Sequence, residues 1–105
     1  MPENTPTICA AEVILRMLRG RWAPSLLMVI ADQGPIHFLA IFRALPGISR
    51  KVLTDQLRFL VRAGVIARST SETQPQVIYA LTERGRELKR AVDQFNELAI
   101  RWDSL

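Results

Sequence analysis

LPGISRKVLTDQLRFLVRAG, residues 45–64, holds a tight turn, a helix cap, an amphipathic helix and a helix stop in that order. Pro46-Gly47 is a strong turn signal. Two residues on, Ser49 suits an N-cap, because its hydroxyl can accept from a backbone N–H that has no partner inside the first helical turn. A helix is therefore expected over residues 49–63, closing at Gly64. Leu53, Leu57 and Leu60 fall on one face of it with Val61 beside them, and that face must bury. Lys51, Asp55, Arg58 and Arg62 share the opposite face, and Arg50 and Thr54 lie on a flank near the N-terminal end.

Upstream, a short helix over 39–45 precedes the turn, entered through an extended link at 36–38. Before that link, Pro24 opens a helix that runs through Leu26, Leu27 and Ile30 and stops near Gly34-Pro35. A first helix is expected over 9–19, stopped by Gly20. Its apolar residues, Ala10, Ala11, Val13, Ile14, Met17 and Leu18, cover so much of its surface that it needs partners on more than one side. Downstream, 65–70 and 76–81 read as two strands joined by a polar connection. Thr82 can then cap a last helix over 83–102, with Glu83 favourably placed against the helix dipole. Trp22, Phe38, Phe42, Phe59 and Tyr79 are expected in the core. The fold class is mainly α with a small β-hairpin wing, a winged helix-turn-helix. Residues 1–8, with Pro2 and Pro6, read as a flexible arm, and 9–105 as a single domain.

The chain of 105 residues carries a formal charge of +4, which favours a polyanionic partner. That charge is focused. Between positions 43 and 68 stand Arg43, Arg50, Lys51, Arg58, Arg62 and Arg68 against one acid, Asp55. A helix fits the major groove of duplex DNA and its N-terminal residues reach base edges. Ser49, Arg50, Lys51, Thr54, Asp55 and Arg58 are the candidate reading and positioning residues. Arg50 and Lys51 can donate to guanine, and Thr54 can touch a thymine methyl. Asp55 either accepts from a cytosine amino group or pairs along the helix with Lys51 or Arg58. Arg68, at the base of the wing, is placed for a phosphate. The bland alternative for each of these charges is a solvated helix face.

Other functions find less support. Cys9 is the only cysteine, so neither an intramolecular disulfide nor a multi-thiolate zinc site can form. His37 is the only histidine and makes neither a metal site nor a catalytic triad; with no general base for Cys9, no enzyme is expected, and no cofactor. The polar start at 1–7 is no signal peptide and the apolar run at 26–31 is too short to span a bilayer. A cytoplasmic protein without a membrane partner is expected. No polar constellation points to a small-molecule effector. The competing reading of the fold is a protein–protein interaction module without specific DNA binding.

Leu88, Val92, Phe95, Ala99 and Trp102 recur at four-three-four-three spacing on the last helix. That stripe either packs on its own domain or meets a second copy of the chain. In a homodimer, two-fold symmetry would set two reading helices about 34 Å apart, matching an inverted repeat.

These residues resemble the HxlR-type helix-turn-helix regulators over nearly the whole chain. The resemblance rests on Cys9, Gly20-Arg21-Trp22, Gly34-Pro35 and Phe38. It continues through Arg43-Ala44-Leu45-Pro46-Gly47-Ile48-Ser49, Lys51-Val52-Leu53-Thr54, Leu57-Arg58, Ala63-Gly64, Tyr79-Ala80-Leu81-Thr82 and Gly85. It implies a dimeric transcriptional regulator whose recognition helix is 49–63. It also implies that the first and last helices form the dimer interface, which adds Ile14 and Leu18 to the stripe above. Some members of the family use a cysteine near the N-terminus to sense oxidants or electrophiles, and Cys9 matches that position; its alternative is an inert small apolar residue. The chain departs from the family pattern at Ala23, at Ala40 and in its neutral-to-acidic wing tip, Glu72-Thr73-Gln74.

Overall fold

The computed structural model describes residues 9–70, 72, 73 and 75–102. The arm expected over 1–8 lies outside the described residues, as do Ser71 and Gln74 of the wing tip. Eight elements follow one another: α1 (Ala11–Met17), α2 (Ala23–Gln33), β1 (Ile36–His37), α3 (Phe38–Ala44), α4 (Arg50–Arg62), β2 (Ile66–Ser69), β3 (Ile78–Leu81) and α5 (Glu83–Trp102). Among the described residues no helix is long and apolar enough to cross a membrane.

The core is built by buried residues of four helices closing on the sheet. α2 has Pro24 in its first turn and buries Ala23, Leu26, Leu27 and Ile30. α3 adds Ile41, and α4 lays down Leu53, Leu57 and Leu60. α5 contributes Leu88 and Val92, and Ile36, Val65, Ile66 and Tyr79 come from the sheet and its approaches. No polar or charged side chain among the described residues is buried with them, so the centre carries no desolvated charge to be compensated.

The expected hairpin has a third strand. The sheet order is β1-β3-β2, antiparallel throughout. Ile36 stands opposite Tyr79, and His37 opposite Ile78. Ile36 and Tyr79 are both buried, which holds the two-residue strand in register through its core face. The wing is therefore anchored across the chain, to the segment between α2 and α3, and not only to its own hairpin partner.

Two expectations need correction, one of length and one of burial. α1 is shorter than the 9–19 span, and none of its residues is buried: Val13, Ile14 and Leu15 are all at least 42% exposed. Phe59, expected in the core, is 38% exposed. It is next to Leu60 in sequence, which turns it about 100° away from the buried leucine stripe. Trp22, Phe38 and Phe42 do pack, partly buried, against the core cluster.

The start of α5 is clasped to the end of α4. Thr82 Oγ1 accepts from the Gly85 N–H at 3.1 Å, capping α5, and also donates to the Gly64 carbonyl at 2.6 Å. The Thr82 N–H donates to the Val65 carbonyl at 3.1 Å, and the Arg84 guanidinium to the Ala63 carbonyl at 3.0 Å. Three successive carbonyls that leave α4 are thus taken up by the first turn of α5. Gly64 has φ of 80°, the left-handed conformation that ends α4 and turns the chain into this clasp.

Candidate nucleic-acid interface

The turn between α3 and α4 closes when the Ile48 N–H donates to the Leu45 carbonyl at 3.2 Å. Ser49 follows in extended conformation, φ −87° and ψ 159°, and its Oγ accepts from the Val52 N–H at 3.1 Å. The cap read from the sequence is in place, one residue ahead of a helix that runs from Arg50 to Arg62. Ser49→Ala removes the acceptor and is expected to cost about 1 kcal/mol. A urea titration should show the midpoint fall with its slope unchanged; an unmoved midpoint would mean that water replaces the hydroxyl without cost.

With the leucine stripe buried, α4 turns Arg50, Lys51, Asp55, Arg58 and Arg62 to solvent, while Thr54 is half-buried at the flank. Lys51 Nζ lies 3.0 Å from Asp55 Oδ2, with the two side chains 84% and 56% exposed. Of the two roles considered for Asp55, the helix pair with Lys51 is the one formed. Arg58, Arg62 and Arg43 have no salt-bridge partner among the described residues, so their charge is open to an external anion. Arg68 is exposed on β2, opposite Tyr79 in register.

Three features of this face escape a reading by helical spacing. Val52 is exposed beside Lys51, an apolar contact in a charged surface. The Arg50 guanidinium carbon lies 4.9 Å from the centre of the Phe42 ring on α3. The Arg21 guanidinium carbon lies 4.7 Å from the centre of the Trp22 ring, and that ring packs beside Gly47 in the turn. The first of these stacks joins residues that the tertiary fold brings together; the second joins chain neighbours within the Gly20-Arg21-Trp22 signal.

The stripe on α5 divides. Leu88 and Val92 are 6% and 9% exposed and belong to the chain's own core, so they have little surface left for a partner. Phe95, Ala99 and Trp102 are exposed, and so is Ile100, which the spacing did not include. On α1, Ile14 is exposed and Leu18, just beyond the helix, is half-buried. Between α1 and the first half of α5 lies a cleft of about 450 Å³, lined by Val13, Ile14, Met17, Arg84, Glu87 and Leu88. Cys9 is exposed two residues before α1, where its carbonyl accepts from the Glu12 N–H at 3.1 Å.

Comparison with known proteins matches residues 17–104 to the HxlR-like helix-turn-helix model. The chain belongs to the HxlR-like helix-turn-helix family. An uncharacterized HTH-type transcriptional regulator of Methanothermobacter thermautotrophicus is 34% identical over 91 residues, covering 86% of this chain and 69% of the relative. The HTH-type transcriptional regulator YodB of Bacillus subtilis is 34% identical over 100 residues, covering 87% and 88%. Among solved structures, the redox regulator HypR in its reduced form superposes with a TM-score of 0.81 at 32% identity, covering 91% of this chain and 95% of that one. The HxlR-like match begins at the last residue of α1, so Cys9 stands ahead of it, whereas the whole helix-turn-helix, the wing and α5 up to its end fall within it.

Proposed function

We propose that this HxlR-like chain is a cytoplasmic transcriptional regulator that binds duplex DNA sequence-specifically as a homodimer, with residues 9–105 acting as one winged-helix domain. The observation that carries the reading is α4 itself. It is capped at Ser49, buried on its leucine face, and free on the face bearing Arg50, Lys51 and Arg58. The N-terminal half of that face enters the major groove, while Arg58 and Arg68 meet phosphates, an arrangement that fixes register without reading sequence. Ser49 works as the cap, and Asp55 holds Lys51 near the groove floor. The exposed apolar residues of α1 and of the second half of α5, Ile14, Phe95, Ala99 and Trp102, meet their counterparts in the second protomer.

Selection of bound sequences from a random duplex library at physiological salt tests the reading. Enrichment of an inverted repeat is expected, with half-sites one helical turn or a multiple apart. Failure to enrich any sequence would favour a protein–protein module instead. Against the selected site, Arg50→Ala with Lys51→Ala is expected to weaken binding about 100-fold and to relax base preference at the contacted positions. Unchanged affinity would remove these two residues from the reading surface.

Cys9 gives the regulator a thiol response. It is exposed and is the only cysteine, so its response is an adduct or a disulfide between two chains, in which two thiols form one S–S bond and deliver two electrons and two protons to the oxidant. HypR, the redox regulator named above, supports the assignment through its similarity alone. Mild diamide treatment is expected to produce a dimer on a non-reducing gel and to change DNA affinity, with neither effect in Cys9→Ser. Equal responses in the two proteins would exclude the thiol.

A further inference from the structure

We propose that Phe42 is a positioning residue for DNA reading, and that it holds the Arg50 guanidinium flat so that its edge meets a guanine in the major groove. The inference rests on the DNA-binding reading above and goes beyond it, since it gives α3, which packs on α2 and β1, a part in reading.

Arg50 and its neighbour Lys51 are held in different ways. Lys51 is held by a carboxylate, Asp55, which occupies at least one of the ammonium donors. Arg50 is held by a ring. Its guanidinium carbon is 4.9 Å from the Phe42 centroid, and no acid among the described residues pairs with it. A ring face attracts the cation through its quadrupole and takes up none of its in-plane N–H groups. Arg50 is therefore oriented while its donors stay available. Guanine O6 and N7 are matched best by two parallel donors in one plane, which a guanidinium supplies in a fixed fork and a lysine ammonium only as a rotatable point charge.

Position and support agree with this role. Arg50 is the first residue of α4, the end of a recognition helix from which side chains reach base edges. Phe42 belongs to α3, across the Pro46-Gly47 turn, so the platform and the reader come from the two helices of the motif. Phe42 is itself fixed. It packs against the core cluster, and its ring lies nearly parallel to that of Phe38, 8° between planes and 6.5 Å between centroids. An arginine side chain free in solution spends much rotamer entropy when it settles on one base; a stack already formed in the unbound protein reduces that loss.

The test is a double-mutant cycle on the selected inverted repeat and on duplexes with each guanine replaced in turn, with folding followed by circular dichroism. Arg50→Ala is expected to lose about 5- to 150-fold at one guanine position and little at the others. Phe42→Leu is expected to lose about 2- to 5-fold at that same position, none of it in the Arg50→Ala background, and Phe42→Tyr to restore it. Should Phe42→Leu fail to fold, Arg50→Lys tests the same point, because it keeps the charge and the ring but is expected to lose the guanine preference. A Phe42→Leu loss that persists without Arg50, or that is equal for every duplex, would overturn the proposal and leave Phe42 as a packing residue. An Arg50→Lys protein with full guanine preference would overturn it as well. A parent chain that selects no sequence would instead defeat the DNA-binding reading on which both stand.

Discussion

Gly85→Ala is expected to lower the melting temperature by more than about 10 °C, corresponding to about 3 kcal/mol or more. The sign is the reverse of what an exposed helix interior gives, where alanine is better than glycine by about 1 kcal/mol. Gly85 is buried in the first turn of α5, and a Cβ built there lands on the Val65 carbonyl oxygen. That oxygen already accepts from the Thr82 N–H, and the Gly85 N–H is bound to Thr82 Oγ1, so neither side of the contact can yield without breaking the clasp. The obstacle is backbone on backbone, which a rotamer change cannot relieve. Thermal unfolding followed by circular dichroism measures the effect. A melting temperature within a few degrees of the parent would mean that α5 can slide away from Val65 at little cost.

The second large effect concerns assembly. Replacing Phe95 and Trp102 together by glutamate is expected to leave the fold intact, since the two side chains are 51% and 57% exposed. It should convert a dimer into monomers, because four carboxylates would then meet across a two-fold axis. Affinity for an inverted repeat should fall by about 100-fold or more, as the second half-site contact ceases to be intramolecular. Sedimentation velocity and binding to one and to two half-sites separate these effects. A variant that still sediments as a dimer would place the interface elsewhere.

Local signals carried most of the architecture. Ser49 and Thr82 each have a hydroxyl ahead of a periodic segment, and both cap as expected. The leucine spacing in α4 placed its buried face, and α5 runs from Glu83 to Trp102 as its sequence suggests. What stayed hidden depends on pairs distant in the chain. Ile36–His37 has the composition of any short link until Tyr79 and Ile78 arrive opposite it. Periodicity on α5 identified an apolar stripe, but not that Leu88 and Val92 would meet α2 and the sheet while Phe95 stayed uncovered. The basic face of the candidate site was legible as a cluster, because its members share one helix. The stack of Arg50 on Phe42 was not: a cation and an aromatic ring eight residues apart carry no mutual signature in sequence until a turn brings them together.

The clasp at Ala63, Gly64 and Val65 makes α5 a lever fixed to the recognition helix at one end. With 20 residues it is about 30 Å long. In a dimer joined through the far half of α5, a change of about 10° in the angle at which the two protomers cross would displace each α4 by about 5 Å, more than the 3.4 Å step between base pairs. The spacing of the two half-sites is then set by the crossing angle of a small apolar contact remote from the DNA, and the hydrogen bonds that transmit that angle run to three backbone carbonyls from one hydroxyl, one guanidinium and one backbone N–H. An agent that disturbs the far ends of α5 could thus alter which operators fit without touching a single residue that faces a base.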